Sequence, residues 1–318
     1  MKIAVYTIAL NEEKFVERWY NCVKDADYLL IADTGSTDRT VKVAKSLGIN
    51  VYNISIKPWR FDVARNTALA LLPDDIDLCI SLDMDEVISD GWRKELEKTT
   101  GNQITYIWEN SKQGKSMIAN KIHSRHGYSW KFLVHEAIVQ DRIMPEIEFA
   151  QNIEITHMPD LQKSRNNYYI DLVKTAVEEY PNIDRYYKYY TDILVLLERF
   201  KEAEEYYLKM LDIPRLSDTD KAHIYKLLSD IVPEHRHHYL SKCLQHTPNR
   251  RESYFYLSQY FSEKEDWKLA DYYIKQAIKH TQPKLDVFNN KDVWTGAAEK
   301  LQAYIQECYN SNDQRIKE

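Results

Sequence analysis

Leu78-Cys79-Ile80-Ser81-Leu82-Asp83-Met84-Asp85-Glu86 is the stretch on which the reading of this chain turns. An uncharged, mostly apolar run passes directly into three carboxylates. A short apolar run is what a strand buried on both faces of a parallel sheet shows. Ligands of such sheets collect at the carboxyl ends of the strands. Asp83 and Asp85, two apart in extended chain, face the same side. Carboxylates massed there repel one another unless a cation compensates, and hard oxygen ligands favour Mg2+ or Mn2+ carrying a diphosphate. An Asp-x-Asp pair is also what a solvated acidic turn shows, so its meaning depends on its neighbours.

Upstream, Lys2–Ala9, Tyr28–Asp33 and Ile49–Ile54 read as further strands, short and rich in apolar and β-branched residues. Between the first two, Phe15, Val16, Trp19, Cys22 and Val23 form the one-sided stripe of a helix lying on a sheet. A second helix is expected beyond Ser36, taken as its N-cap, with Asp38 in the first turn. A third is expected from Asp62 to Leu72, stopped by Pro73. Strands alternating with helices predict an α/β domain built on a mostly parallel sheet. Downstream, Ile104–Trp108, Ser116–Ile122, Ala137–Gln140 and Glu154–His157 read as its strand-rich second half.

Beyond Pro159 glycines nearly vanish and tyrosines crowd in, while Pro181, Pro214, Pro248 and Pro283 recur every 33 to 35 residues. That is the tetratricopeptide period. Within it, Ala203 and Tyr207 match Ala270 and Ile274, with small residues where paired helices approach closely. The expected division is therefore an α/β domain over residues 1–159 and an all-α, helical-repeat domain over 160–318.

Composition removes several classes. With 43 basic and 49 acidic side chains and a net charge of −6, no broad positive field is available to hold a nucleic acid. The opening MKIAVYTIA is followed by Asn11-Glu12-Glu13-Lys14, too short an apolar segment for a signal peptide or membrane span, so a cytoplasmic location is expected. Four scattered cysteines with no C-x-x-C pair make neither a disulfide framework nor a cysteine zinc site. His135-Glu136 lacks the second histidine of a zinc protease, and no G-x-G-x-x-G, P-loop or G-x-S-x-G occurs in a chain with only seven glycines.

What remains specific is a set of motifs at strand ends and helix starts: Thr7-Ile8-Ala9-Leu10-Asn11-Glu12-Glu13, Asp33-Thr34-Gly35-Ser36-Thr37-Asp38, Asp62-Val63-Ala64-Arg65-Asn66 and Asp83-Met84-Asp85-Glu86. In this order and spacing they resemble family 2 glycosyltransferases, whose nucleotide-binding domain has the GT-A fold; members that carry tetratricopeptide repeats behind it are the nearest in kind. The resemblance implies a metal-dependent, inverting transfer of a sugar, of the hexosyltransferase type, with Mn2+ or Mg2+ as cofactor. It places Thr7, Leu10, Asn11, Glu12, Asp33, Gly35, Arg65, Asp83 and Met84 around the donor. Thr7, Asn11 and Asp33 would line the base and ribose pocket, Arg65 would reach ribose or diphosphate, and Asp83 the ribose side. Asp85 would hold the metal, with His157 completing the metal or diphosphate site, and Glu136 would act as general base on the acceptor. These roles suit the groups: a carboxylate accepts from uracil N–H, which favours a UDP-sugar, and a guanidinium pairs with phosphate.

For several of these residues a structural role explains the sequence equally well. Glu12 opens a helix, where any acid offsets the dipole; Glu136 is also what a structural salt bridge needs; and Trp59 and Trp130 serve either as stacking platforms or as core. The acceptor is expected to be a glycan, a polypeptide or a modified nucleobase, and the repeats to bind a protein partner or a second copy. The alternative is a non-catalytic nucleotide-binding scaffold acting through its repeat domain.

Overall fold

A computed structural model describes residues 1–112, 114–141, 143–159 and 168–317. The chain divides into two compact units, Met1–Ala176 and Val177–Glu318. The expected boundary at 159/160 adjoins residues 160–167, which lie outside the described ones. Among the described residues no helix is long and apolar enough to cross a membrane.

The first unit begins with strands β1 (Ile3–Ala9), β2 (Tyr28–Asp33), β3 (Asn50–Asn53) and β4 (Leu78–Ser81). Between them run helices α1 (Glu13–Val23), α2 (Thr40–Ser46) and α3 (Phe61–Ala70). There follow β5 (Glu86–Ile88), the short helix α4 (Trp92–Leu96), β6 (Gln103–Asn110), β7 (Lys115–Ser124), β8 (Tyr128–Lys131), β9 (Ala137–Gln140) and β10 (Ile147–His157). Eight strands form one sheet in the order β3-β2-β1-β4-β7-β6-β10-β5, and β8 pairs with β9 in a separate hairpin. The first four are parallel, as expected from strands alternating with helices; β1, β2 and β4 are largely buried and β3 is an exposed edge strand. β7 then runs antiparallel to both β4 and β6, and β5 antiparallel to β10, so the sheet is mixed.

In register, Ala9 lies beside Asp33 and Asp33 beside Asn53, while Tyr6 lies beside Ser81. The carboxyl ends of these strands therefore open along one edge. Helix α1 seals one face there: Trp19 is fully buried and its indole N–H donates to the Leu82 carbonyl at 3.0 Å. One expected feature is different. Helix α2 starts at Thr40, not just beyond Ser36; the Ser36 hydroxyl accepts the Asn11 N–H (2.9 Å), and Asp38 accepts the Thr40 N–H (2.9 Å) at the real start. A serine that serves a neighbouring loop is not free to cap.

The division between the units falls within α5 (Tyr168–Glu179). The second unit is a run of helical hairpins: α6 (Asp184–Leu196) with α7 (Phe200–Met210), α8 (Asp218–Ile231) with α9 (Arg236–His246), and α10 (Arg251–Glu263) with α11 (Trp267–Lys279), closed by α12 (Ala298–Lys317). Pro181, Pro214, Pro248 and Pro283 each follow the end of α5, α7, α9 or α11, where proline cannot continue a helix. Ala203, Tyr207, Ala270 and Ile274 are buried at the helix contacts, as their spacing predicts.

Ala270 has no exposed surface, and its carbonyl accepts the Ser258 hydroxyl across the hairpin at 2.8 Å. Ala270→Leu is expected to destabilise the helical unit by about 1–3 kcal/mol through overpacking. Tyr272→Leu on the exposed side should change it by less than ~0.5 kcal/mol. Denaturant unfolding followed by circular dichroism measures both.

Candidate active site

Beyond β4 the chain makes a tight acidic turn. The Glu86 N–H donates to the Asp83 carbonyl at 2.9 Å, and the Asp83 N–H donates to Glu86 Oε2 at 2.9 Å. Glu86 is 2% exposed, so its charge needs partners inside the protein. They are Lys121 from β7, 3.1 Å from Oε1, and the Trp108 indole N–H from β6, 2.8 Å from Oε1.

Lys121 also donates to Asp83 Oδ2 at 2.8 Å, and Arg65 from α3 donates to Asp83 Oδ1 at 2.8 Å. Arg65, 6% exposed, donates through Nε to Glu136 Oε1 at 2.5 Å and through Nη1 to the Ser81 hydroxyl at 3.2 Å. Its guanidinium lies over the Trp130 ring, 4.9 Å from the centroid. Charges thus alternate through Glu136, Arg65, Asp83, Lys121 and Glu86. Burial opposes ionisation of Asp83, but the two cations outweigh it and hold its carboxyl well below the usual range. Burial likewise works against the charged forms of Arg65 and Lys121, and their carboxylate partners reverse it and push both pKa values up.

Asp85 stands apart from this chain. Its Oδ2 lies 3.1 Å from His157 Nε2 at the end of β10, and its carbonyl accepts the Met158 N–H at 2.7 Å. The imidazole stacks on Trp108 with centroids 5.5 Å apart, and its hydrogen bond to Asp85 raises its pKa. Among the described residues no group of three or more His, Cys, Asp or Glu is placed to hold a metal. Asp85 and His157 are nonetheless chemically suited to one. Their 3.1 Å separation is close to that of adjacent ligands each ~2.1 Å from an octahedral ion. Asp85 and His157 would fit a divalent cation as two of its ligands.

The other expected donor residues sit at the ends of β1 and β2. Asp33 Oδ2 accepts the Gly35 and Ser36 N–H groups at 3.0 and 3.1 Å. Asn11 Oδ1 accepts those of Thr37 and Asp38 at 2.7 and 3.3 Å. Asn11 has φ +56°, a left-handed conformation that asparagine tolerates, and Gly35 has φ +113°, which favours glycine. The Glu12 N–H donates to the Thr40 hydroxyl at 2.8 Å. Leu10 is 45% exposed, whereas Thr7 shows no surface and Met84 is packed in the core, so these two support the edge from beneath. Trp130 is also interior, and Trp59 meets Phe61 edge-on at 5.4 Å.

The structure brings Asp83, Arg65 and Glu136 into direct contact, and Asp85 onto His157. Arg65, expected to reach the donor, has its guanidinium engaged by two carboxylates and a hydroxyl. Lys121, Ser81 and Trp108 were not singled out from sequence. Lys121 and Trp108 lie in strands with no local motif, so only strand pairing shows what they touch, and Ser81, inside the Leu78–Glu86 stretch, meets Arg65 only through the packing of α3.

Beneath Arg65, Trp130 Nε1–H donates to the Tyr6 hydroxyl at 2.8 Å, and that hydroxyl lies 3.1 Å from His123 Nε2. His123 Nδ1 faces the Ser124 carbonyl at 2.8 Å, so the neutral tautomer protonated on Nδ1 satisfies the whole set. Burial lowers the His123 pKa to about 4. Above about pH 6.5 the ring is neutral folded and unfolded. As pH falls from there towards 4, only the unfolded chain takes up the proton, and stability is lost. Urea unfolding across this range is expected to show a loss of up to ~3 kcal/mol from this group, removed in His123→Gln.

Residues 4–125 match the sequence profile described as Glycosyl transferase family 2. An uncharacterised glycosyltransferase of Rickettsia bellii is 33% identical over 115 residues, 36% of this chain and 35% of that protein. A TPR repeat-containing protein of Synechococcus elongatus is 27% identical over 167 residues, 50% of this chain and 40% of that one. The matched stretch thus spans well under half the length of these curated relatives. Among solved structures, glucosyl-3-phosphoglycerate synthase from Mycobacterium tuberculosis, in complex with Mn2+, UDP and phosphoglyceric acid, is 24% identical. It covers 34% of this chain and 43% of its own, with a TM-score of 0.29, too low to bear on the fold.

Proposed function

We propose, from the match of residues 4–125 to the profile described as Glycosyl transferase family 2, that the protein is a nucleotide-sugar-dependent glycosyltransferase. Its donor is held at the carboxyl edge of β1, β2 and β4, with Asp85 and His157 as the protein ligands of a divalent cation. The observation that carries this reading is the Asp85–His157 pair at 3.1 Å beside a turn whose other carboxylates already have protein cations. Among the described residues, Asp83, Asp85, Glu86 and Glu136 face Arg65 and Lys121 as permanent cations, two positive charges to four carboxylates. A diphosphate brings more negative charge, and like charges at a few ångströms repel. Donor binding therefore requires Mn2+ or Mg2+, which supplies Lewis-acid stabilisation of the leaving diphosphate.

The chain's own groups do the rest. Asp33, held by two backbone N–H groups at the end of β2, faces the base, and uridine, whose N–H a carboxylate accepts, is the preferred nucleoside. Asp83 keeps its ionised oxygens for the ribose hydroxyls. Arg65 acts through its two carboxylates as a positioning residue. Glu136 removes the proton from the acceptor O–H as the acceptor oxygen bonds to the anomeric carbon and the bond to the diphosphate breaks on the opposite face, with inversion. The acceptor belongs to a glycan, a polypeptide or a modified nucleobase. The helical hairpins serve to bind a polypeptide partner or a second copy.

The contact between Glu136 and Arg65 favours one competing role, an ion pair that only holds the fold. Glu136→Gln separates the two, because the amide oxygen still accepts from Arg65. If Glu136 is the base, transfer falls by about 10²- to 10⁴-fold with donor affinity kept; an unchanged transfer rate leaves it the structural role alone. Asp85→Ala is expected to abolish Mn2+-stimulated hydrolysis of the donor. A protein with no such hydrolysis or transfer, yet able to bind a partner through its repeats, would be a scaffold.

A further inference from the structure

Lys121 belongs to none of the motifs that announce the site, yet three acidic-turn contacts converge on it. Its ammonium is 2.8 Å from Asp83 Oδ2 and 3.1 and 3.4 Å from the two oxygens of Glu86. Glu86 Oε2 in turn holds the Asp83 N–H at 2.9 Å. The contacts close a ring: ammonium, Asp83 side chain, Asp83 backbone, Glu86 carboxylate and back to the ammonium. The turn's own hydrogen bond from Glu86 N–H to the Asp83 carbonyl lies beside the ring, and the two together fix the path of the chain through Met84 and Asp85.

The electrostatics give the ring its effect. Three carboxylates within four residues repel one another, and Glu86 is 2% exposed, where an unpaired charge is costly. Lys121 compensates Asp83 and Glu86 together and takes nothing from Asp85, whose carboxylate turns the other way onto His157. On the far side β10 holds the same turn: Glu86 pairs with His157 in register, and the Met158 N–H binds the Asp85 carbonyl. The turn is clamped between an ammonium and a strand, and among the described residues Asp85 is the turn's carboxylate that meets no cation of permanent charge.

We propose that Lys121 is a positioning residue for donor binding: by neutralising Asp83 and Glu86 it fixes the acidic turn so that Asp85 is presented, with His157, to the cation and the donor diphosphate. This rests on reading the site as a nucleotide-sugar site. The role is one of orientation, so it governs affinity for the donor and leaves the chemical step nearly untouched.

The experiment compares wild type, Lys121→Met and Lys121→Arg, measuring UDP-sugar affinity by calorimetry in Mn2+ and kcat and KM for donor hydrolysis. Lys121 acts on Asp85 through the turn and not by touching it, and disturbing the orientation of a metal ligand costs roughly 10- to 100-fold in affinity. Lys121→Met is therefore expected to weaken donor binding and raise KM by that factor, with kcat at saturating donor within about threefold. Lys121→Arg, whose planar fork can bridge both carboxylates, is expected to recover most of the loss. A lysine that merely supported the fold would lower the melting temperature of Lys121→Met and leave the donor Kd of the folded protein unchanged; that result overturns the proposal. So does a Lys121→Arg as weak as Lys121→Met. If Lys121→Met does not fold, Lys121→Met/Glu86→Gln, which removes both charges and keeps an acceptor for the Asp83 N–H, takes its place. A wild type that binds no donor overturns the donor-site reading itself, whereas equal binding by wild type and Lys121→Met overturns only the role of Lys121.

Discussion

A guanidinium that is only 6% exposed must find its counter-charges inside the protein, and the site of the N-terminal unit is arranged around how Arg65 does so. It rises from α3 and takes one carboxylate from the turn after β4 and another from the segment before β9. Ser81 and the face of Trp130 complete the enclosure. Segments distant in sequence are thereby fixed to within hydrogen-bond tolerance. Breaking a buried pair of this kind costs about 3–5 kcal/mol, mostly the penalty of the charge left behind. Apolar replacement of a buried ion-pair cluster is often neutral or stabilising, but here it would hold no carboxylate at the sheet edge.

From Arg65 the arrangement propagates by charge. Asp83 is shared with Lys121, Lys121 with Glu86, and Glu86 with Trp108, whose ring stacks on His157. From Arg65 to Glu86 each member is satisfied by the next, as a buried polar network requires, while at the far end His157 Nδ1 is buried with no hydrogen-bond partner among the described residues. The consequence is a division of labour within four residues: Asp83 and Glu86 are compensated by the protein, and Asp85 is turned outward. The same sequence without Arg65 and Lys121 would be an acidic turn with no directed carboxylate.

Much of this was legible in the sequence, and the limits have physical causes. The strands β1, β2 and β4 are legible because burial within the sheet demands apolar runs, and Tyr28–Asp33 has the same limits in sequence and structure. The repeats were readable because proline can only follow a helix, and each one follows the second helix of a hairpin or its equivalent. The strands β5 and β8 are not legible: β5 is three residues fused to the acidic turn, and β8 (Tyr128-Ser129-Trp130-Lys131) has no β-branched residue, unlike the equally short β9 (Ala137-Ile138-Val139-Gln140). Ser36 was assigned a helix start by a local rule, and a hydrogen bond from Asn11 overrode it. At the site, Asp83, Asp85 and Arg65 stood in motifs, but that Arg65 faces carboxylates, and that Lys121 matters at all, depends on pairings 16 to 71 residues apart in the chain.

The central claim is that this edge of the sheet binds a nucleotide sugar through a cation held by Asp85 and His157. Calorimetric titration of a panel of nucleotide sugars, in Mn2+ and again in excess chelator, tests it most directly. The account predicts saturable binding of one donor, with a uridine nucleoside, that disappears in chelator and in Asp85→Ala. Binding of that donor with equal affinity in chelator, or of none in Mn2+, would contradict it.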